Sequence, residues 1–192
     1  MSHIHDTLFA IHQQVELIRP RLLKILQPGL SRSVVINSLT SRSITCPEAV
    51  VDIYEWKNGT IEGQQSFGEM WLFPNWFFVS LEHSLEIYDG LVADLPDVWM
   101  SNWYPFGRSG CGDYIGVESD SMNNVDGQVV AWDSGDFEAR IEYVSIASML
   151  TTILMAYQTG AIDCDQGGKI RVDYDRYQSI AARCNPGLGR WN

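Results

Sequence analysis

Several groups of residues in this chain have the types and spacing on which chemistry could be built. Cys111 lies between two glycines and two residues before Asp113, and His83 is the only histidine beyond the N-terminal segment. A nucleophile, a base and an orienting carboxylate are therefore all present on paper. Gly110-Cys111-Gly112 is nevertheless the composition of a tight turn. His83 falls at the third helical position after Ser80, where a side chain serves a helix start or the surface. No enzymatic activity is expected of this set. His3 and His5 form an H-x-H pair, but they sit on a chain end expected to fray, so no metal site is expected there. Asp120 to Gly127, DSMNNVDG, gathers oxygen ligands beside a glycine, yet Met122 stands where a calcium ligand belongs and no glutamate closes the loop. That segment reads as a hairpin loop, and the pairs Asp133/Asp136 and Glu118/Asp120 read as chance neighbours in an acidic chain. No cofactor is called for by any of these patterns.

The residues left for recognition are one carboxylate cluster and a set of tryptophans. Asp113 opens a strand directly after two glycines, where it either caps its own turn or accepts from a partner's Arg or Lys, assisted by Glu118 and Asp120. Trp56 and Trp132 fall within predicted elements and read as core. Trp71, Trp76, Trp99 and Trp103 gather at loops and strand ends, where tryptophan often anchors a partner, and Trp71 and Trp99 are taken with the carboxylates as the candidate contact set.

The elements that must position these residues follow from periodicity. Leu8, Ile11, Val15, Ile18, Leu22 and Ile25 keep helical spacing across Pro20, which predicts a kinked helix or two abutting helices ending at Pro28-Gly29. Leu30 to Thr45 is rich in Ser and Thr and reads as a connection with a short extended piece at Val34 to Asn37. Pro47 then starts an amphipathic helix with Ala49, Val50, Ile53 and Tyr54 inward, stopped by Asn58-Gly59. The aromatic tract from Met70 to Val79 predicts a short strand with a turn at Pro74-Asn75, leading into a helix capped by Ser80 that breaks near Gly90 or at Leu95-Pro96. Strands are predicted over Asp113 to Glu118, Gln128 to Asp133 and Ala139 to Val144, joined by hairpin-turn chemistry into an antiparallel meander. A helix from Ile146 to Gln158 stops at Gly160, and a short strand at Lys169 to Val172 precedes a helix around Tyr174 to Arg183.

Composition bounds the classes. With 192 residues, 45% of them apolar, the chain is long enough for one well-packed domain. No apolar run is long enough for a membrane helix and no leader pattern opens the chain, so a cytoplasmic protein is expected. Cys46, Cys111, Cys164 and Cys184 show no metal-binding spacing and read as free thiols. The net charge of -11 is uneven, because Cys46 to Glu138 holds nearly all the acidic excess and only Lys57 and Arg108 as strong bases. Such a field repels nucleic acid and anionic membranes and speeds encounter with a basic partner.

The order of these elements resembles the SUKH superfamily. The residues that carry the resemblance are Pro47-Glu48 with Tyr54 to Gly59, Tyr104-Pro105-Phe106, Gly110 to Tyr114, Gly127-Gln128-Val129 and Ser148-Met149-Leu150. It extends from about Leu8 to Lys169 of a single domain spanning 1–192, with 170–192 as a C-terminal extension. Two departures are Cys46, where the family carries leucine, and the long Leu30 to Thr45 segment. The resemblance implies an α+β fold, an antiparallel sheet flanked by N-terminal and C-terminal helices, and a non-enzymatic binding scaffold. It implies as partner a protein, with two roles open: an immunity protein that neutralises a basic toxin domain, or an interaction scaffold of the fungal cell-wall regulator kind.

Overall fold

The computed structural model describes residues 3–45, 47–63, 65–119, 127–136 and 138–191; the side chain of His3 is not described. Cys46, Asp120 and most of the expected Asp120 to Gly127 loop lie outside these residues.

The phase-preserving proline resolves as two abutting helices, α1 (His3–Ile18) and α2 (Pro20–Ile25), with Pro20 in the first position of α2, where its missing N–H costs nothing. The chain does not stay helical to Pro28. Leu26–Pro28 forms strand β1, antiparallel to β2 (Lys57–Thr60). A second correction concerns Leu30 to Thr45, where Arg32–Thr40 is a helix, α3, rather than a connection with an extended piece. Its weak formers are held by tertiary contacts, since Val35 and Leu39, four apart, are both buried against α4 (Glu48–Trp56). Arg32 fastens the same contact. Its guanidinium meets Glu48, Asp52 (3.6 Å) and Glu55 (2.9 Å), the carboxylates that α4 presents on one face.

Helix α4 ends at Trp56, not at Asn58-Gly59. Gly59 lies within β2 at φ +79°, and a Cβ there would meet Ser80 N at 2.2 Å, so glycine is needed for conformation and for close approach. The aromatic tract follows the expected course. After α5 (Phe67–Met70), a bridge between Phe73 and Trp76 closes the Pro74-Asn75 turn and the chain enters β3 (Phe77–Phe78). Ser80 then caps α6 (Leu81–Asp94), its hydroxyl accepting from His83 N–H at 3.3 Å. The helix passes through Gly90 without a break.

The meander is a five-stranded antiparallel sheet, β3-β4-β5-β6-β7, with β4 Trp103–Arg108, β5 Tyr114–Glu118, β6 Val129–Asp133 and β7 Glu138–Tyr143. On one face Ile115, Val117, Val129 and Ala131 join the main core with side chains of α1, α4 and α7 (Ile146–Gln158). On the other, Tyr114 and Trp132 build a second core with Leu91, Trp99 and Trp103. The alternation of a strand thus feeds two cores. A register shift opposite Val129 and Val130 makes Glu142 the extra residue of β7. Its buried carboxylate accepts from Arg140 (3.1 Å) and Arg190 (3.3 Å), and its carbonyl accepts from the Trp191 indole at 2.7 Å. After the hairpin β8 (Ile162–Cys164) and β9 (Ile170–Val172), α8 (Tyr174–Cys184) packs on α7. The architecture is α+β, as expected. No helix among the described residues is long and apolar enough to cross a membrane.

Candidate protein-binding surface

Asp113 is held by its own turn. Gly110 and Gly112 adopt φ +94° and +100°, which turns the chain so that the carboxylate reaches Ser109 Oγ (3.0 Å), Ser134 N–H (3.0 Å) and Ser134 Oγ (2.9 Å). Partial burial pushes its pKa up, but the hydrogen bonds from Ser134 and Ser109, with the charge of Arg140, outweigh that and hold it below the usual aspartate value. The group knits the β4–β5 turn to the β6–β7 turn. Cys111 is exposed, with its N–H donated to Ser109 Oγ, whereas His83 faces Glu86 at 3.2 Å on α6. No hydrogen bond joins Cys111, His83 and Asp113 among the described residues.

Glu118 stands at the opposite end of β5, about 17 Å along the strand at ~3.4 Å per residue. It is half-buried and accepts from Asn102 Nδ2 at 3.3 Å. Asp113 and Glu118 are therefore not neighbours, and Asp120 lies outside the described residues. Trp71 is half-buried, its indole donating to Ser109 O at 3.4 Å. Trp99 is 1% exposed, edge-on to Trp103, Trp132 and Tyr114, and its indole donates to Trp103 O at 3.0 Å. It shapes the wall beneath the segment after α6, and contact with a partner requires that segment to open.

His5, expected on a fraying end, sits in the ordered first turns of α1 with Nε2 3.1 Å from the buried Asp52 carboxylate. His5, Asp52 and Glu55 are the one group among the described residues whose possible metal-ligand atoms lie within 4.8 Å of one another. Arg32 already supplies positive charge to Asp52 and Glu55, so the arrangement is an ion-pair knot that locks α1 and α3 to α4.

The surface that residue-by-residue reading passed over is the outer face of α6. Glu82, Glu86 and Asp89 follow i, i+4, i+7 spacing opposite the buried Leu81, Ser84, Leu85 and Leu91, and Asp94 and Asp97 extend the row; all five are exposed. From Asn58 to Gly107 the chain contains no lysine or arginine. Local counter-charge comes from Arg42, 2.9 Å from Asp89, and His83 Nδ1 lies 3.2 Å from Glu86. Like charges four residues apart cost an isolated helix about 0.2–0.5 kcal/mol per pair. Acidic residues at the negative end of the helix dipole are also unfavourable, and the last turn of α6 has no basic residue. Asp94, in that last turn, thus stands against the dipole, whereas Glu82 in the first turn is favoured by it. The spacing was visible in the sequence once a helix was placed over residues 81–94.

An α+β domain with a long acidic helix face has the form of a binding module. The SMI1 / KNR4 family (SUKH-1) model matches residues 41–155, from the end of α3 to within α7, and the chain belongs to that family. Membership supports a non-enzymatic protein-binding role at the level of the family. A search of curated proteins returns no match.

Proposed function

We propose that this protein captures a basic protein partner on the acidic face of α6 and Asp97, with Glu118 and Asp120 as further acceptors, and that the partner is a toxin domain which the capture neutralises. The observation that carries the reading is that five exposed carboxylates are held on and just after α6 in a stretch without lysine or arginine, with Asp94 in the last turn against the dipole. A row of like charge on one exposed face suits charge complementarity with a partner, which raises the encounter rate and excludes acidic competitors. A toxin that works on nucleic acid presents a basic surface, and that surface fits this one. Asp113 contributes indirectly by fixing the turn geometry at the far end of β5, and Trp99 by supporting the segment between α6 and β4.

The test is purification of the partner from the native host, then kinetics with the purified pair. The expected partner is basic, with an association rate that falls steeply as salt rises. An acidic partner, or an association rate indifferent to salt, would overturn the reading.

A further inference from the structure

The basic-partner reading leaves open where a single cationic side chain would be gripped, and a second region of the molecule addresses this. Between α1 and the α4–β2 junction lies a cleft of about 540 Å³ with largely apolar walls. α1 sends Asp6, Phe9 and His12 into it along one row at three-residue spacing, and the end of α4 supplies Glu55 and Trp56. Phe9 is 63% exposed, an unusual position for a phenylalanine in a single chain. His12 and Trp56 meet edge to face, their ring centres 6.5 Å apart and their planes at 83°. The Trp56 indole N–H is buried with no acceptor. Asp6 is exposed and makes no hydrogen bond or ion pair among the described residues.

Aromatic walls with a free carboxylate at the mouth are the chemistry of cation recognition, because ring faces and a carboxylate attract the same positive group. The cation–π contacts among the described residues, Arg108 on Phe77 and Arg190 on Trp191, lie elsewhere. Lys57 lines the lip of the cleft. Its ammonium opposes a second cation there and sets a limit on affinity.

We infer that this cleft receives a guanidinium or ammonium side chain of the partner, held against the Phe9 and Trp56 rings and paired with Asp6. The inference rests on the basic-partner reading but uses a different surface from α6.

The experiment is a titration of the ¹⁵N-labelled full chain with the blocked tripeptide acetyl-Gly-Arg-Gly-amide, followed by two-dimensional NMR. The control is the same peptide with uncharged citrulline in place of arginine. The arginine peptide is expected to give a saturable shift of the Trp56 indole N–H and the Phe9 and His12 amides, with the citrulline peptide roughly fivefold weaker or more. Phe9→Ala and Asp6→Asn, both surface changes, should each reduce the shift at saturation or the affinity, whereas Lys57→Met should tighten binding. Absence of a saturable Trp56 shift, or equal binding of the two peptides, overturns the inference. Shifts confined to α6 would overturn the cleft while leaving the basic-partner reading in place. A saturable cleft signal with a salt-indifferent partner would do the reverse.

Discussion

Replacing Arg19 by methionine should unfold this protein at a markedly lower temperature. Arg19 is 1% exposed, at the joint between α1 and α2, and no carboxylate faces it among its hydrogen-bond partners. Its guanidinium donates instead to the carbonyls of Gly68 (3.1 Å), Glu69 (3.2 Å), Trp71 and Gly168 (3.4 Å), and to the Tyr157 hydroxyl (3.2 Å). Three of these carbonyls belong to α5 and the residue after it, where a helix end leaves acceptors without partners. The cation therefore serves as the C-terminal cap of α5 and ties it to the loop before β9. Bonds to a charged donor contribute about 1.5–3 kcal/mol each, but they are not additive, and methionine removes the cost of burying the charge. The net loss is about 3–5 kcal/mol, which for a chain of this size lowers the melting temperature by roughly 10 °C. Lysine, which keeps the charge but cannot fork to four carbonyls, should recover less than half of that. Burial raises the Tyr157 pKa, and Arg19 opposes it, so the phenol should become harder still to ionise in the methionine variant. Urea unfolding and calorimetry of the three proteins measure the effect. A methionine variant within ~0.5 kcal/mol of the wild type would refute the reasoning.

The remaining predictions concern turns and close contacts. Asp113→Ala should destabilise the protein at about pH 7 by roughly 1–2 kcal/mol through the loss of its hydrogen bonds to Ser109 and Ser134. Because the folded-state pKa lies below the unfolded one, this contribution is fully present above the usual aspartate value near ~3.9 and is lost as pH falls through the folded value. The gap between wild type and variant in urea midpoint should therefore narrow towards about pH 3, and a constant gap would show that the carboxylate's charge is immaterial. Gly59→Ala should cost about 2 kcal/mol or more, since its Cβ would lie 2.2 Å from Ser80 N at a positive φ; a melting temperature equal to that of the wild type would contradict this.

How far the sequence could be read depended on which force set each element. Elements set by local signals were legible. Pro20 divides α1 from α2, Ser80 caps α6, and α7 runs from Ile146 to Gln158 with Gly160 at φ +71° behind it. The three hairpin-linked strands were legible because alternation and turn residues agree. Helix α3 was not, because nothing in its Ser-rich sequence favours a helix until Val35, Leu39 and Arg32 find α4. The Asn58-Gly59 pair misled because a left-handed glycine serves a strand crossing as well as a helix stop, and here Ser80 decides between them. At the candidate surface, single residues such as Asp113 drew attention through their local setting. The α6 row is a property of a face and appears only when the helix and its buried side are placed together. Arg19 had no local signature at all, since its acceptors are 49 to 149 residues away in the chain.

The central claim is that the α6 face attracts the partner by charge. Its most direct test is the association rate of the purified partner with wild type and with a Glu82→Gln/Glu86→Gln/Asp94→Asn variant across a range of salt concentrations. These side chains are exposed, so the variant should fold with little change in stability. The predicted result is an association rate roughly tenfold or more lower at low salt, with a shallower salt dependence that meets the wild-type curve at high salt. Superimposable curves at every salt concentration would contradict the account.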